Sequence, residues 1–402
     1  MSKRRLPVAA ALSAAGLASL IAVPLASAGG MYDVSTCRAT VGESHYSGAD
    51  AAQTAVTAAE ALSANATVRI SGTCAPVVID DATDTITLRG AGRNPTLDGQ
   101  GNPGSVVAVT DGTTAVIRGL KITGGTGAVG LVTKPSEVGY GGGIHNDGTL
   151  TVRNSRVTGN AATGAVSEGG GIFSAGPLTV IDSRVDGNTA VVGGGIAAID
   201  TLTVRGSRVD GNAGGGIAAG AASKTASITN SRVNGNTTTS VIGAGIVNSS
   251  GTMTLIKSQV NGNTSAAGYL VAGGIVNLGG TLTLIKSQVN RNTAAGPAGG
   301  IGNVEGSVSL IESRVNWNSA GTDGGGIWNS DTALVGIDPK SKVQHNTAGG
   351  YGGGIWTFFP SSIRNGSDPT TYSGTGVGYN TSIGGTSTDN DPSNPINIFV
   401  SN

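Results

Sequence analysis

Three tryptophans near the C-terminal end are the side chains best suited to contact a sugar. Trp317, Trp328 and Trp356 lie close together in the sequence, with His345 among them. Trp328 and Trp356 each directly follow a Gly-Gly-Ile segment, so on neighbouring strands they would point outward and could stack. Exposed flat rings suit stacking against a sugar. The cluster predicts a carbohydrate platform, and the alternative is that its rings cap the last turn of the fold.

A second group of candidates is a column of long polar side chains. Arg184, Arg208 and Arg232 occupy the second position of a repeated hexad, and Arg291 in a later hexad joins them. Planar guanidinium groups favour hydrogen bonding to an acidic or neutral glycan. The alternative is a solvated stripe in which each arginine pairs with a carboxylate two residues on, as Arg184 with Asp186.

The strand that precedes each hexad carries hydroxyl groups where acid-base catalysis on a glycan would need carboxylates or a basic pair. These positions are Thr149, Thr151, Thr179, Thr201, Thr203, Thr225, Ser227, Thr252, Thr254, Thr281, Thr283, Ser307 and Ser309. The sequence therefore favours a protein that is not an enzyme, without a cofactor or metal. A flat Thr-x-Thr array also resembles the ice-binding faces of β-solenoid antifreeze proteins, a remote alternative to ordinary solvent-facing threonines.

A repeat positions all of these residues. Eight hexads read serine, a long polar residue, valine, two variable residues and asparagine, and between them the chain returns to Gly-Gly-Ile. The hexads begin at Ser155, Ser183, Ser207, Ser231, Ser258, Ser287, Ser313 and Ser341. Fixed inner spacing with variable loops predicts stacked coils of three short strands each.

Alternation within each strand separates inward from outward positions. The residues five and three before the hexad serine are apolar, as is the hexad valine, and these should face inward with the isoleucine of Gly-Gly-Ile. About a dozen coils at roughly 4.8 Å spacing would form a rod about 55 Å long. The hexad asparagine should form an internal ladder whose amides bond along the stack.

The combination of GGGI with hexads such as NSRVTGN resembles the right-handed parallel β-helix (pectate-lyase-like) superfamily. It is specifically similar to the GGAI and FxxN repeats of polymorphic outer-membrane proteins, with Val157 where those repeats have phenylalanine. The resemblance covers roughly residues 66–360. It implies an all-β solenoid and leaves function open, because the superfamily includes lyases, adhesins and proteins without an assigned activity.

The N-terminal segment predicts export. Basic residues, an apolar run and Ala26-Ser27-Ala28 form a secretory signal in residues 1–28, so the mature protein should be extracellular and free of the membrane after cleavage. In an oxidising environment Cys37 and Cys74 should form a disulfide. Residues 48–63 predict a short helix that caps the first coil. The zero net charge argues against nucleic acid as a partner.

These features divide the chain into residues 1–28 (signal), 29–65 (cap with the short helix), 66–360 (β-helix) and 361–402 (C-terminal cap and polar tail). The leading hypothesis is a secreted protein that binds a polysaccharide or cell-surface glycan without catalysis. The sequence does not indicate an oligomeric state.

The alternative is a polysaccharide lyase or glycoside hydrolase. Its catalytic residues would lie on the two longest loops between a hexad and the next Gly-Gly-Ile, residues 161–168 and 264–272. Loops on a rigid scaffold are common sites of catalytic residues.

Overall fold

The chain forms a parallel β-solenoid, as the repeat predicts. The computed structural model describes residues 36–357 apart from 63, 82, 102, 128–137, 223, 241–242, 267–271 and 331, together with 363–365, 377–378, 380–382 and 398–400. The predicted signal, Phe358, Phe359 and most of the predicted tail lie outside the described residues.

Each complete coil adds one strand to each of three long sheets, called here A, B and C. Sheet A has 14 strands: Ser44–Ser47, Arg38–Val41, Ala66–Ser71, Thr85–Gly90, Thr114–Arg118, Thr149–Arg153, Leu178–Ile181, Leu202–Arg205, Thr225–Thr229, Thr252–Ile256, Thr281–Ile285, Ser307–Ile311, Leu334–Ile337 and Ile363–Asn365. It contains the strand that precedes each hexad.

Sheet B contains the hexad strands. Its 12 members are Thr73–Cys74, Thr96–Asp98, Lys121–Thr123, Arg156–Thr158, Arg184–Asp186, Arg208–Asp210, Arg232–Asn234, Gln259–Asn261, Gln288–Asn290, Arg314–Asn316, Lys342–Gln344 and Val377–Gly378. From Arg156 to Asn316 the hexads align position by position, so the second residue of one hexad lies beside the second residue of the next.

Sheet C contains the Gly-Gly-Ile strands. Its 12 members are Val77–Ile79, Val107–Val109, Ile144–Asn146, Ile172–Ser174, Ile196–Ala198, Ile217–Ala219, Ile246–Ser249, Ile275–Leu278, Ile301–Val304, Ile327–Asn329, Ile355–Thr357 and Ile398–Val400.

Two smaller sheets lie between sheets B and C along the chain. Sheet D has six strands: Thr237–Thr238, Thr264–Ser265, Thr293–Ala294, Ser319–Ala320, Thr347–Ala348 and Thr381–Ser382. A parallel pair, Val138–Tyr140 with Val166–Glu168, lies just before the sheet C strand in two earlier coils, whereas sheet D continues there only as single bridges through Ala161, Thr189 and Ala213. These additions vary from coil to coil, as expected of the segments that the repeat leaves variable.

The N-terminal cap combines a helix, a disulfide and two antiparallel strands. Helix α1, Ala51–Glu60, buries its apolar side, and the disulfide between Cys37 and Cys74 is present. Arg38–Val41 pairs antiparallel with both Ser44–Ser47 and Ala66–Ser71, which the sequence did not predict. The helix is shorter than the predicted 48–63, and Leu62, which lies beyond its end, is 50% exposed.

The core is a set of stacked apolar columns. The sheet A positions predicted to face inward, the hexad valines and the isoleucines of sheet C are buried wherever the structure describes them. Each column continues through neighbouring coils, so the apolar area of one coil is covered by the next. The inward and outward assignment made from strand alternation is confirmed.

The predicted asparagine ladder is present and every described hexad contributes to it. Asn236, for example, donates from Nδ2 to Oδ1 of Asn263 at 2.9 Å and to the carbonyl of Val209 at 2.9 Å. Its own Oδ1 accepts the backbone N–H of Asn212 at 2.9 Å and the Nδ2 of Asn212 at 3.0 Å. One buried side chain therefore connects three successive coils.

Two further ladders were not predicted. The hexad serines are buried, and the backbone N–H of each donates to the hydroxyl of the next, as Ser231 does to Ser258 at 3.2 Å. A second amide ladder runs through the third residue of sheet C strands, where Asn277 donates to Asn303 at 2.8 Å. The serine is visible in the hexad pattern, but its inward orientation depends on the tight turn between sheets A and B.

We expect Asn236→Ala to lower the free energy of unfolding by about 2–4 kcal/mol, because it removes four hydrogen bonds and leaves buried groups of neighbouring coils without partners. Arg232→Ala, in the same hexad but exposed, should change it by about 0.5 kcal/mol or less. Denaturant unfolding of both variants measures this difference. Equal stability of the two variants would show that the ladder contributes little.

Candidate functional site

The turn that leaves sheet B contains side chains in place of glycine in three consecutive coils. The residue before the ladder asparagine is Gly159, Gly187, Gly211, Gly235 and Gly262 in five coils, with φ from 63° to 66°. The next three coils place Arg291, Trp317 and His345 there, with φ of 55°, 61° and 56°. We call these three residues the turn column. An L side chain in this left-handed region costs about 1–2 kcal/mol. The turn between sheets A and B bears the same cost at Lys257, Lys286 and Glu312, so the turn column is distinguished by its aromatic stacking and by the exposure of Trp317.

The turn column is exposed at Arg291 and Trp317 and half-buried at His345. The rings of Trp317 and His345 stack with centroids 4.2 Å apart and planes 10° apart, and Trp317 is 56% exposed. Arg291 is exposed one coil before Trp317, on the side opposite His345. The structure thus brings together three of the predicted site residues, with an indole between an imidazole and a guanidinium group.

Trp328 and Trp356 stack, as predicted, but they are not an exposed pair. Their centroids are 5.3 Å apart and their planes 4° apart. Trp356 is only 7% exposed, so its expected exposure is wrong, while Trp328 is half-buried and packs near Val276 and Ala298. A role in binding stays a prediction for both.

The cause of this burial is the run of glycines before each sheet C strand. The chain folds back over the outer side of the strand that follows. At Gly324, where φ is 69°, a Cβ atom would lie 2.7 Å from the Cβ of Trp328. The residues after the isoleucines therefore point away from the core and are still covered, as Phe173 and Val276 are.

Arg184, Arg208 and Arg232 lie in register on sheet B and are exposed, as predicted. The alternative in which Arg184 pairs with Asp186 of the same strand is wrong, whereas Asp210 interacts electrostatically with Arg208 of its own strand and with Arg232 of the next coil. Asp186 instead binds Arg156 of the preceding coil through two hydrogen bonds of 3.0 Å. Side chains two residues apart extend in parallel, so a carboxylate meets the guanidinium of an adjacent coil more readily.

The polar residues two positions after these arginines form a column that hydrogen-bonds the backbone of neighbouring coils, which the sequence did not show. The Oδ1 of Asp210 accepts the backbone N–H of Asn234 at 3.0 Å, and the Oδ1 of Asn234 accepts that of Asn261 at 3.0 Å. The same contact continues through Asn290 and Asn316. These side chains therefore hydrogen-bond the backbone of the next coil, whereas the arginines two residues before them in the hexad extend into solvent.

The hydroxyl face of sheet A is flat and ordered in register. Thr225, Thr252, Thr281 and Ser307 align in one column, and a second hydroxyl column runs beside it. A third column adds apolar groups, including Ile311, in the later coils. These side chains are exposed or half-buried. Along the described strands, no carboxylate lies in the two hydroxyl columns.

A cluster of titratable and aromatic groups on the outer side of sheet C was missed. Tyr140 and Glu168 lie opposite each other in the two-stranded sheet, and His145 and Phe173 are neighbours in sheet C. The Tyr140 ring is 4.5 Å from Phe173 and 6.3 Å from His145 between centroids. His145 Nε2 lies 3.1 Å from Oδ1 of Asp147. These residues flank two GGGI segments in the sequence, which is the signal that could have located them.

Burial sets the protonation of this cluster. Glu168 is 8% exposed, and burial raises the pKa of its carboxyl group above the ordinary value. The pKa of Tyr140 is raised by burial and then by the nearby Glu168. A carboxyl group whose pKa is raised releases its proton at a higher pH than an exposed one, which is the direction that a general acid needs. Glu168 ends the 161–168 loop, whereas residues 267–271 of the other loop lie outside the described residues.

Within the part of the chain that the structure describes, no group of three His, Cys, Asp or Glu side chains could hold a metal ion. No helix among the described residues is long and apolar enough to cross a bilayer. Compared with protein-family models, curated proteins and solved structures, the chain matches none. Function must therefore be argued from the surfaces themselves.

We expect Glu168→Gln to stabilise the protein at neutral pH. The pKa of Glu168 is higher in the folded state than in the unfolded chain, where the carboxyl group titrates near the ordinary value of 4.5. As pH increases, the unfolded chain therefore loses this proton first. The free energy of unfolding falls from that pH until the pKa of the folded state is passed. The variant, which has no proton to lose, should match the wild type at about pH 3 and exceed it at about pH 7.

Thermal unfolding across this pH range measures the effect. Glu43→Gln removes an exposed carboxylate and should change stability by about 0.5 kcal/mol or less at either pH. A constant difference between Glu168→Gln and the wild type at all pH values would contradict a buried, titrating carboxyl group.

Proposed function

We propose that the protein is a secreted, adhesin-like β-solenoid that binds a polysaccharide or cell-surface glycan without transforming it. The observation that carries this proposal is the turn column, in which Arg291, Trp317 and His345 occupy left-handed positions that other coils give to glycine. Side chains kept there at a cost, and exposed, favour a role outside the fold.

The chemistry of the turn column suits a sugar. The indole and imidazole rings stack nearly parallel, so each covers one face of the other. The exposed edge of the stack and the indole face turned away from His345 are left for the apolar C–H groups of a sugar ring. The guanidinium group of Arg291 lies one coil away and offers planar donors for hydroxyl or carboxylate oxygens. Exposed aromatic groups with a neighbouring donor are typical of recognition surfaces.

The proposal also includes export of the protein from the cell and its relation to known β-helix proteins. The buried Cys37–Cys74 disulfide supports an oxidising compartment, in agreement with the signal-like residues 1–28. We also propose that the chain is related to the pectate-lyase-like superfamily and to the repeats of polymorphic outer-membrane proteins. The GGGI and hexad motifs and the parallel solenoid support this relation.

Replacing the three residues of the turn column with glycine, the residue that other coils have there, distinguishes a role in binding from a role in folding. We expect the triple variant Arg291→Gly, Trp317→Gly, His345→Gly to unfold within about 1 kcal/mol of the wild type, because relief of the left-handed conformation offsets the added freedom of the unfolded chain. Affinity for its glycan should fall about tenfold or more, since stacking contributes about 1 kcal/mol or more.

Glycan arrays and pull-down with insoluble polysaccharides measure the binding. Leu334→Thr is the control, because it removes an exposed apolar side chain from sheet A, next to Ser307 in register. Unchanged binding by the folded triple variant would eliminate the turn column as the contact surface.

A second candidate function is polysaccharide cleavage at the cluster of Tyr140, His145, Asp147 and Glu168. The buried Glu168, whose pKa is raised by burial and which lies opposite Tyr140 in the two-stranded sheet, is the observation that favours it. A screen for new reducing ends or unsaturated bonds, with uronate and neutral polysaccharides, tests it. Cleavage by the wild type that is lost in Glu168→Gln supports this function, and absence of cleavage on every substrate, or its persistence in the variant, removes it.

A further inference from the structure

Two columns of cations flank the turn between sheets A and B in the N-terminal half of the solenoid. On sheet A the column contains Arg69, Arg89, Arg118, Arg153 and, beyond Ile181, Arg205. On sheet B it contains Lys121, Arg156, Arg184, Arg208 and Arg232. All ten side chains are exposed. We call these ten residues the basic corner.

The turn between the columns is short and rigid. Arg153 and Arg156 are separated by Asn154, whose φ is 47°, and by the buried Ser155. The hydroxyl of Ser155 accepts the backbone N–H of Leu120 in the preceding coil at 3.3 Å. The same arrangement repeats at later coils, so the spacing of the cations along the rod follows the spacing of the coils, about 4.8 Å.

The positive charge of the basic corner is only partly compensated. Four carboxylates lie on the same sheet B strands or in the turn: Asp98, Asp182, Asp186 and Asp210. Against ten cations they leave an excess of six positive charges. Of these carboxylates, Asp186 pairs with Arg156, while Asp98 and Asp210 accept backbone N–H groups.

This concentration of charge stands out because the whole chain has a formal net charge of zero. Like charges placed side by side in register repel each other and destabilise the sheet. The next two coils avoid the repulsion, since Gln259 and Gln288 occupy the same sheet B column before Arg314 and Lys342 place cations there again. The fold therefore does not require a cation at this position.

A shallow, open groove follows the corner. Its lining includes Asn94, Lys121, Asn154, Arg156, Asp182 and Arg184. The groove runs across successive coils, because its lining residues come from the same turn in neighbouring coils. A chain-like ligand that lies along the rod would contact several guanidinium groups at once.

We infer that the basic corner binds a linear anionic polysaccharide that lies along the axis of the solenoid. Guanidinium groups bind carboxylate, sulfate and phosphate groups through paired hydrogen bonds, and a column of them matches a polymer with charges at regular intervals. The basic corner and the turn column lie on different coils, so this binding does not depend on the glycan contact proposed above.

The composition of the basic corner favours a polysaccharide over a nucleic acid. Single-stranded nucleic acids are held by basic grooves that also supply aromatic rings for base stacking. None of the ten residues of the basic corner is aromatic, and the next outward column of sheet A contains Thr87, Val116 and Thr151. An array of donors without stacking surfaces suits a charged sugar chain.

The test compares the wild type with Arg184→Gln, Arg208→Gln, Arg232→Gln, a triple variant that copies the glutamines found in the same column of later coils. The control variant, Lys257→Asn, Lys286→Asn, Lys340→Gln, removes the same number of positive charges from C-terminal coils. Affinity electrophoresis at low and high salt measures binding to polygalacturonate, dextran sulfate, a polyphosphate-containing wall polymer, uncharged dextran and single-stranded DNA. Thermal unfolding measures the stability of each protein.

We expect the wild type to bind at least one anionic polysaccharide, with affinity that falls steeply as NaCl rises from about 0.05 to about 0.5 M. The basic-corner variant should bind about tenfold or more weakly and unfold at the same or a higher temperature. The control variant should bind like the wild type.

Equal affinity of the basic-corner variant and the wild type for every anionic polysaccharide overturns the inference, as does equal loss in the control. Tighter binding of single-stranded DNA than of any polysaccharide also overturns it, in favour of a nucleic acid partner. None of these results decides whether the turn column binds a glycan, because every protein in the test keeps Trp317 and can be assayed separately on neutral glycans.

Discussion

The requirement that each coil satisfy the buried polar groups of its neighbours controls this structure. The asparagines of the hexad ladder, such as Asn236, donate to the coils on both sides and accept from the preceding coil, and the hexad serines form a second ladder at the opposite end of the sheet B strand. A coil displaced by one residue would lose these bonds and expose its apolar side. Register is therefore maintained along the rod even where loop length changes.

Strict register also determines how the protein can present chemical groups. An outward position in one coil lies beside the same position in the next, so functional side chains occur as columns and seldom as pockets. The turn column, the basic corner and the hydroxyl face of sheet A are all columns. Such surfaces suit extended ligands that repeat along one direction. The cluster around Glu168 departs from this rule because a local two-stranded sheet covers it.

The sequence was sufficient to predict the coil, the inward columns, the asparagine ladder, the capping helix and the disulfide, because each follows from periodicity or residue type. It did not show contacts between coils that depend on side-chain length and turn geometry. The diagonal pair of Arg156 and Asp186 is one case, and the burial of Trp356 beneath a folded-back segment is another. The alignment of Arg118 with Arg153 required the register of sheet A, which variable loop lengths conceal.

The coil spacing gives the two proposed surfaces a fixed separation. Five coil steps lead from Arg184 through Arg208, Arg232, Gln259 and Gln288 to Arg314, whose strand immediately precedes Trp317. At about 4.8 Å per step this is about 24 Å along the axis. Because the ladders prevent neighbouring coils from sliding past each other, the number of coils between the two surfaces determines the distance between them. A duplicated or deleted coil would lengthen or shorten it by one step while leaving both surfaces intact.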